Sequence, residues 1–312
     1  MTARSAAQLF RSAAHAAERG DLLVAADLAA ASAERFGRSP DGANARTLAA
    51  RCLQARGRYA DAHDHVARGL DALAAVVAPD PAIARVRAAL VVTGASIAVD
   101  RGHYAEAVAA VEALLRDAPD GDPADRFAAA TTGGVAAKAL GRHDRAAAFY
   151  RIAEAALRTG ALGGEARAVL DHNLGGLAHA RGDLETARRH AEAALAWRQA
   201  AAGDRPHDRA VAVERAALAA ILIDAGECVA AVALLDAALA SFAITGTDDP
   251  LDVGAAQHNL AEGLRRLGDD RGAARAYEAA VRAKSAALGP AHPEVRLSRE
   301  ARDAHRARRA GG

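Results

Sequence analysis

A chain of 312 residues with 40 basic and 39 acidic side chains carries a formal charge of +1, so no global field draws it to nucleic acid or to an acidic membrane. Its 93 alanines and its 3% aromatic content disfavour a mainly β fold, because alanine is the best helix former and strands draw on β-branched and aromatic residues. Alanine-rich helices bury little area each, so stability has to come from many close helix–helix contacts rather than one large core.

Charged and polar residues interrupt every apolar run in the first twenty residues, MTARSAAQLFRSAAHAAERG, and no signal peptide is expected there. Apolar stretches such as Ala216–Ile223 fall short of the roughly 20 residues that span a bilayer. Cys52 and Cys228 form no CxxC pair. They are expected to be buried free thiols in a reducing, cytoplasmic setting, without a disulfide or zinc role.

One pattern then recurs along the chain: a glycine followed five residues later by alanine. It reads GDLLVA from Gly20, GRYADA from Gly57, GHYAEA from Gly102, GRHDRA from Gly141, GDLETA from Gly182, GECVAA from Gly226 and GDDRGA from Gly268. A second column lies seven residues before each glycine and holds only Ala or Gly: Ala13, Ala50, Ala95, Gly134, Gly175, Ala219 and Ala261. The glycines are spaced 37, 45, 39, 41, 44 and 42 residues apart, the signature of a repeat array. Each unit predicts a first helix, a left-handed glycine stop, and a second helix with apolar residues at helical spacing, such as Ala231, Leu234, Leu235, Ala238 and Leu239. Small residues in both columns let the paired helices cross closely. The prolines, from Pro40 to Pro293, are expected between the units, since proline inside a helix costs about 3 kcal/mol.

A small residue in the first helix, glycine with an aromatic at the turn (Tyr59, Tyr104) and alanine in the second helix resemble the tetratricopeptide repeat family. The mean step of about 41 residues exceeds the usual 34 and is similar to the long repeats of the kinesin light chain type. The strongest match is HNLAEGLRRLGDDRGAARAYEAAVRAKSAALGPAHPEV, from His258 to Val295. The resemblance implies an all-α, right-handed superhelical solenoid. It would hold about seven helix–turn–helix repeats in one domain over residues 1–312, at 6–39, 43–76, 88–121, 127–160, 168–201, 212–245 and 254–287. The Arg-rich segment 293–310 is expected to be a polar C-terminal capping helix, with a basic docking tail as the sharper reading.

In such a stack the first helices line the concave side. Residues ten, six and three before each glycine share one helix face. By family resemblance this face looks into a groove and places there Thr47, Arg51, Gln54, Thr131, Lys138, His172, His179, His258, Glu262 and Arg265. Asn173 and Asn259 stand nine before their glycines in HNL triplets, where the family resemblance implies contacts to the backbone of an extended peptide. An amide offers both donor and acceptor to a peptide group. The alternative use of asparagine at this place is to tether the neighbouring repeat. His172 and His179 lie two turns, about 10 Å, apart, too far for one ion without converging side chains, and no tight carboxylate ligand accompanies them. No metal or cofactor is expected.

The chain holds no GxSxG, Walker-type GxxxxGK, HExxH or strand-following GxGxxG motif. The function expected is a non-enzymatic scaffold or adaptor, binding a peptide or protein segment of unknown identity in its groove, with no nucleic acid or membrane partner. The alternative is a sensor or regulator in which a small peptide or metabolite changes the curvature of the array. The oligomeric state is left open.

Overall fold

The computed structural model describes residues 5–74, 80–205, 207–245 and 250–311, and all their regular secondary structure is helical. The elements are α1 (Ala6–Glu18), α2 (Leu22–Phe36), α3 (Pro40–Gln54), α4 (Tyr59–Ala74), α5 (Pro81–Asp100), α6 (Tyr104–Asp117), α7 (Pro123–Ala139) and α8 (His143–Leu157). They continue as α9 (Gly164–Ala180), α10 (Leu184–Ala202), α11 (Arg209–Asp224), α12 (Cys228–Thr245), α13 (Pro250–Arg266), α14 (Asp270–Leu288) and α15 (Pro293–Gly311).

Two compact units divide the chain, one ending at Thr159 and one beginning at Gly160. In each, consecutive helices pack against one another, and α15 packs on α14. First helices also touch the next first helix: α1 meets α3, α3 meets α5 and α5 meets α7 in the first unit, as α9 meets α11 and α11 meets α13 in the second. These helices therefore share one flank of their unit.

The turns show why the sequence breaks where it does. At Gly182, φ is +78° and the Asp183 amide donates to the Ala178 carbonyl at 3.0 Å. The bond closes the helix end in the left-handed form that only glycine adopts without steric cost. The same bond recurs after Gly20, Gly57, Gly102, Gly141, Gly226 and Gly268.

The two small columns form the crossing points. Ala25, Ala62, Ala107, Ala146, Ala187, Ala231 and Ala273 are all 0% exposed. In the other column Ala13, Ala50, Ala95, Ala219 and Ala261 are also buried, Gly134 lies under the Tyr150 ring, and Gly175 lies over the backbone of Ala187 and Ala191.

Pro119 and Pro290 lie between helices as expected, but five other prolines do not. Pro40, Pro81, Pro123, Pro250 and Pro293 open helices rather than lying between them. At the first helical position the missing N–H has no partner to lose, and the fixed φ already suits the helix. Ser39, Asp80 and Asp122 precede three of these prolines and cap the helix by accepting from the amides of Gly42, Ala82 and Ala124. Pro79, Pro206 and the start of the GTDDPLDV segment lie outside the described residues.

The helix α5 is by length and composition apolar enough to cross a membrane. Here Ile83 and Leu90 bury against Ala43 and Leu73, and Ile97 joins the cluster around Cys52, Leu53 and Val66. Both cysteines are free and buried.

Candidate functional site

In the second unit the face of the first helices is built from residues of α9, α11 and α13. His172 on α9 sets its Nδ1 2.8 Å from the Glu214 carboxylate of α11. Glu214 is buried, and Arg198 comes within 3.9 Å of its second oxygen. One turn before the glycine, His179 Nε2 lies 2.8 Å from Asp224. Arg266 of α13 reaches the same carboxylate and donates to the Ile223 carbonyl at 2.8 Å. Three successive first helices are thus tied side chain to side chain across the face.

The two asparagines behave differently. Asn173 is buried, and its amide donates to the Val169 carbonyl of its own helix at 3.0 Å. Asn259 is half-buried and reaches back to the Ala216 carbonyl of α11 at 3.5 Å, a long bond that holds it only loosely. Between α9, α11, α12 and α13 an open cleft of about 160 Å³ brings His172 and Asn259 together, with Ala216, Phe242 and Asp252 completing its wall.

His258, Glu262 and Arg265 face a different neighbour. Nδ1 of His258 sits 3.2 Å from the Ser298 hydroxyl of α15, with its ring edge-on to Tyr277. Burial pushes the His258 pKa down and the Lys284 ammonium pushes it further. Burial alone would raise the Glu262 carboxyl, but the Tyr277 hydroxyl and Arg265 both donate to it and hold it below its ordinary value. Burial, followed by the Glu262 carboxylate, raises the Tyr277 phenol. Lys284, itself buried, pairs with Glu294 of α15 at 3.0 Å, and buried His305 lies against the Asp270 carbonyl. This polar seam joins α13 and α14 to α15.

In the first unit, Arg51 donates to Thr93 at 3.3 Å, and Gln54 donates to Ser96 and Asp100 at 2.7 Å. Thr131 is buried and bonds the Phe127 carbonyl of its own helix. Lys138 is half-buried on the same helix.

The partners that sequence reasoning passed over are Glu214, Asp224 and Arg266. Glu214 and Asp224 are the only charges but one in the run AVAVERAALAAILIDAG, and an acid inside so apolar a helix calls for a cationic or hydrogen-bonding neighbour. Among the described residues no three His, Cys, Asp or Glu side chains are grouped closely enough to hold a metal ion.

Helix pairs stacked through small-residue columns define a helical-repeat protein. Comparison with known proteins agrees with this fold. Residues 253–294 match the family model of the tetratricopeptide repeat, and the chain carries the tetratricopeptide-repeat fold.

Among solved structures, a Rap protein complexed with Competence and Sporulation Factor is 15% identical. The likeness covers 90% of this chain and 75% of that one, with a TM-score of 0.64. BtubC (BKLC) from P. vanneervenii is 21% identical over 74% of this chain and 92% of its own, with a TM-score of 0.56. A tetratricopeptide repeat protein from Parabacteroides merdae is 13% identical over 92% and 98%, with a TM-score of 0.57. At such identities the likeness is one of fold. No curated protein matches the chain.

Proposed function

We propose that this protein is a non-enzymatic interaction scaffold that takes a peptide or protein segment against the first-helix face of its second unit. The observation that carries the reading is the cleft where His172 and Asn259 converge. The two residues come from different repeats, stand at groove positions of the sequence pattern, and keep polar atoms at an opening walled by Ala216 and Phe242. Asn259 is suited to grip a peptide backbone, because its present bond to Ala216 is long and a peptide group offers its amide a better partner. The Rap structure contains a bound factor, so this fold accommodates a ligand in at least that protein.

Within this reading Asn259 and His172 make the direct contacts, and His179 keeps the face in place through Asp224. Asn173 supports them from within α9, and Thr131 bonds its own helix α7 in the first unit. Arg51 and Lys138 belong to the equivalent face of the first unit. His258, Glu262 and Arg265 contribute by fixing α13.

Selection of a binding peptide from a random displayed library on the full chain, followed by calorimetric titration, tests the site. His172→Ala with Asn259→Ala is expected to weaken binding about tenfold or more, equivalent to about 1.4 kcal/mol. Unchanged affinity rejects this site.

A further inference from the structure

The first unit holds a cavity that the scaffold reading leaves unused. It opens where the N-terminal half of α5, the end of α6 and the start of α7 meet, and measures about 280 Å³. That is just below the range for ligand pockets, roughly 300–1,000 Å³, and suits one side chain better than a cofactor.

Its floor is apolar, formed by Leu114 and Leu115 of α6 with Ala88 and Ala129. The charged residues that line it are Arg85, Asp120, Asp122, Asp125 and Arg126. Arg85 is committed to Asp122 at 2.7 Å. Arg126 turns to the carbonyls of Ala118 and Pro119, which close the α6 end. Both arginines are thus spoken for, whereas Asp120 and Asp125 line the same cavity with no ion pair to either carboxylate among the described residues. Burial raises the Asp125 carboxyl and the neighbouring Asp122 adds to this, against a smaller pull from Arg85 and Arg51. An incoming cation relieves that cost, while an incoming anion meets two carboxylates.

We propose that this cavity is a second docking site, which accepts a leucine-like side chain of a peptide segment carrying a lysine or arginine beside it. The apolar floor takes the branched side chain, and Asp125 with Asp120 pairs with the adjacent cation. The site is independent of the cleft at His172 and Asn259.

The test uses the full chain with methyl-labelled leucines and three peptides: acetyl-Ser-Gly-Leu-Lys-Gly-Ser amide, and its counterparts with Glu for Lys or Ala for Leu. The Leu–Lys peptide is expected to shift the Leu114 and Leu115 methyl signals and to bind about fivefold or more tighter than either counterpart, from the ion pair against the Glu peptide and from apolar burial against the Ala peptide. Asp125→Asn should remove that preference for Lys over Glu. Ala84→Phe, a change at an exposed rim position, should block binding without touching the core. The His172→Ala/Asn259→Ala protein should bind unchanged, which separates this site from the scaffold reading. Equal affinity for the Lys and Glu peptides, equal affinity for the Leu and Ala peptides, or no shift at Leu114 and Leu115 overturns the proposal.

Discussion

At Gly134 and Gly182 the same missing methyl group serves two ends. Gly134 lies in the middle of α7, where a Cβ would run into the Tyr150 ring of α8. Tyr150 is fully buried with little freedom to move aside, so the penalty for a methyl is one of overpacking. Gly182 has open space around the position of its Cβ, yet holds φ at +78°, so the penalty there is conformational. Gly134→Ala is expected to cost about 1–3 kcal/mol and Gly182→Ala roughly 1–2 kcal/mol, both read from urea unfolding of the full chain. The two are separable by a second change. Tyr150→Leu in the Gly134→Ala background should recover part of the loss, whereas no side-chain change near Gly182 should help. A Gly134→Ala protein as stable as the parent would show that the α7–α8 crossing tolerates a methyl.

The helix α15 is attached in part through polar groups, which makes its attachment depend on pH. His258 faces Ser298 and Glu294 of α15, Lys284 and Tyr277 of α14, and Glu262 of its own helix. Its pKa in the folded protein lies below the ordinary 6.5 because burial and Lys284 disfavour the charged ring. Once unfolded it takes a proton near pH 6.5 that the folded state resists, so stability falls as the pH drops below about 6.5. Glu262 and Glu294 are held below their ordinary value of 4.5, so their contribution is present above that pH and is lost as the pH falls through the folded-state value. Both effects have the same sign. Urea midpoints measured at pH 7.5, 6.0 and 5.0 should decline, and His258→Gln should flatten the decline between 7.5 and 6.0. An equal slope in the variant would assign that loss to other groups.

This seam also shows where sequence reading stops. A face is legible in one helix, because three residues at i, i+4 and i+7 share it, as His258, Glu262 and Arg265 do on α13. What covers that face is set by the packing of another element. Nothing in the spacing of α13 reveals that Ser298 of α15 lies against His258, or that Asn173 turns inward to its own helix. The glycine turns and small columns were legible for the opposite reason: a left-handed stop and a helix crossing each admit one or two residue types, so the constraint is written at the position itself.

At the scale of the whole chain, the repeat construction confines each perturbation to its neighbours, because stability is close to a sum of local interfaces. The two cysteines report on this separately. Cys52 is buried in α3 of the first unit, and Cys228 is buried at the start of α12 in the second. The helix of Cys228 also supplies Phe242 to the cleft wall. A peptide bound in that cleft stabilises the folded state of the helices forming it by mass action, so a maleimide must wait longer for Cys228 to be exposed. Cys52 stands on α3 of the first unit, which supplies no residue to the cleft lining. Labelling rates followed by mass spectrometry on the intact protein should therefore slow at Cys228 and hold steady at Cys52 when the library-selected peptide is added. The Leu–Lys peptide of the first-unit cavity should leave the Cys228 rate alone. Equal slowing at both cysteines by the selected peptide would mean that its stabilising effect is not local, and would displace the binding site from the cleft between α9, α11, α12 and α13.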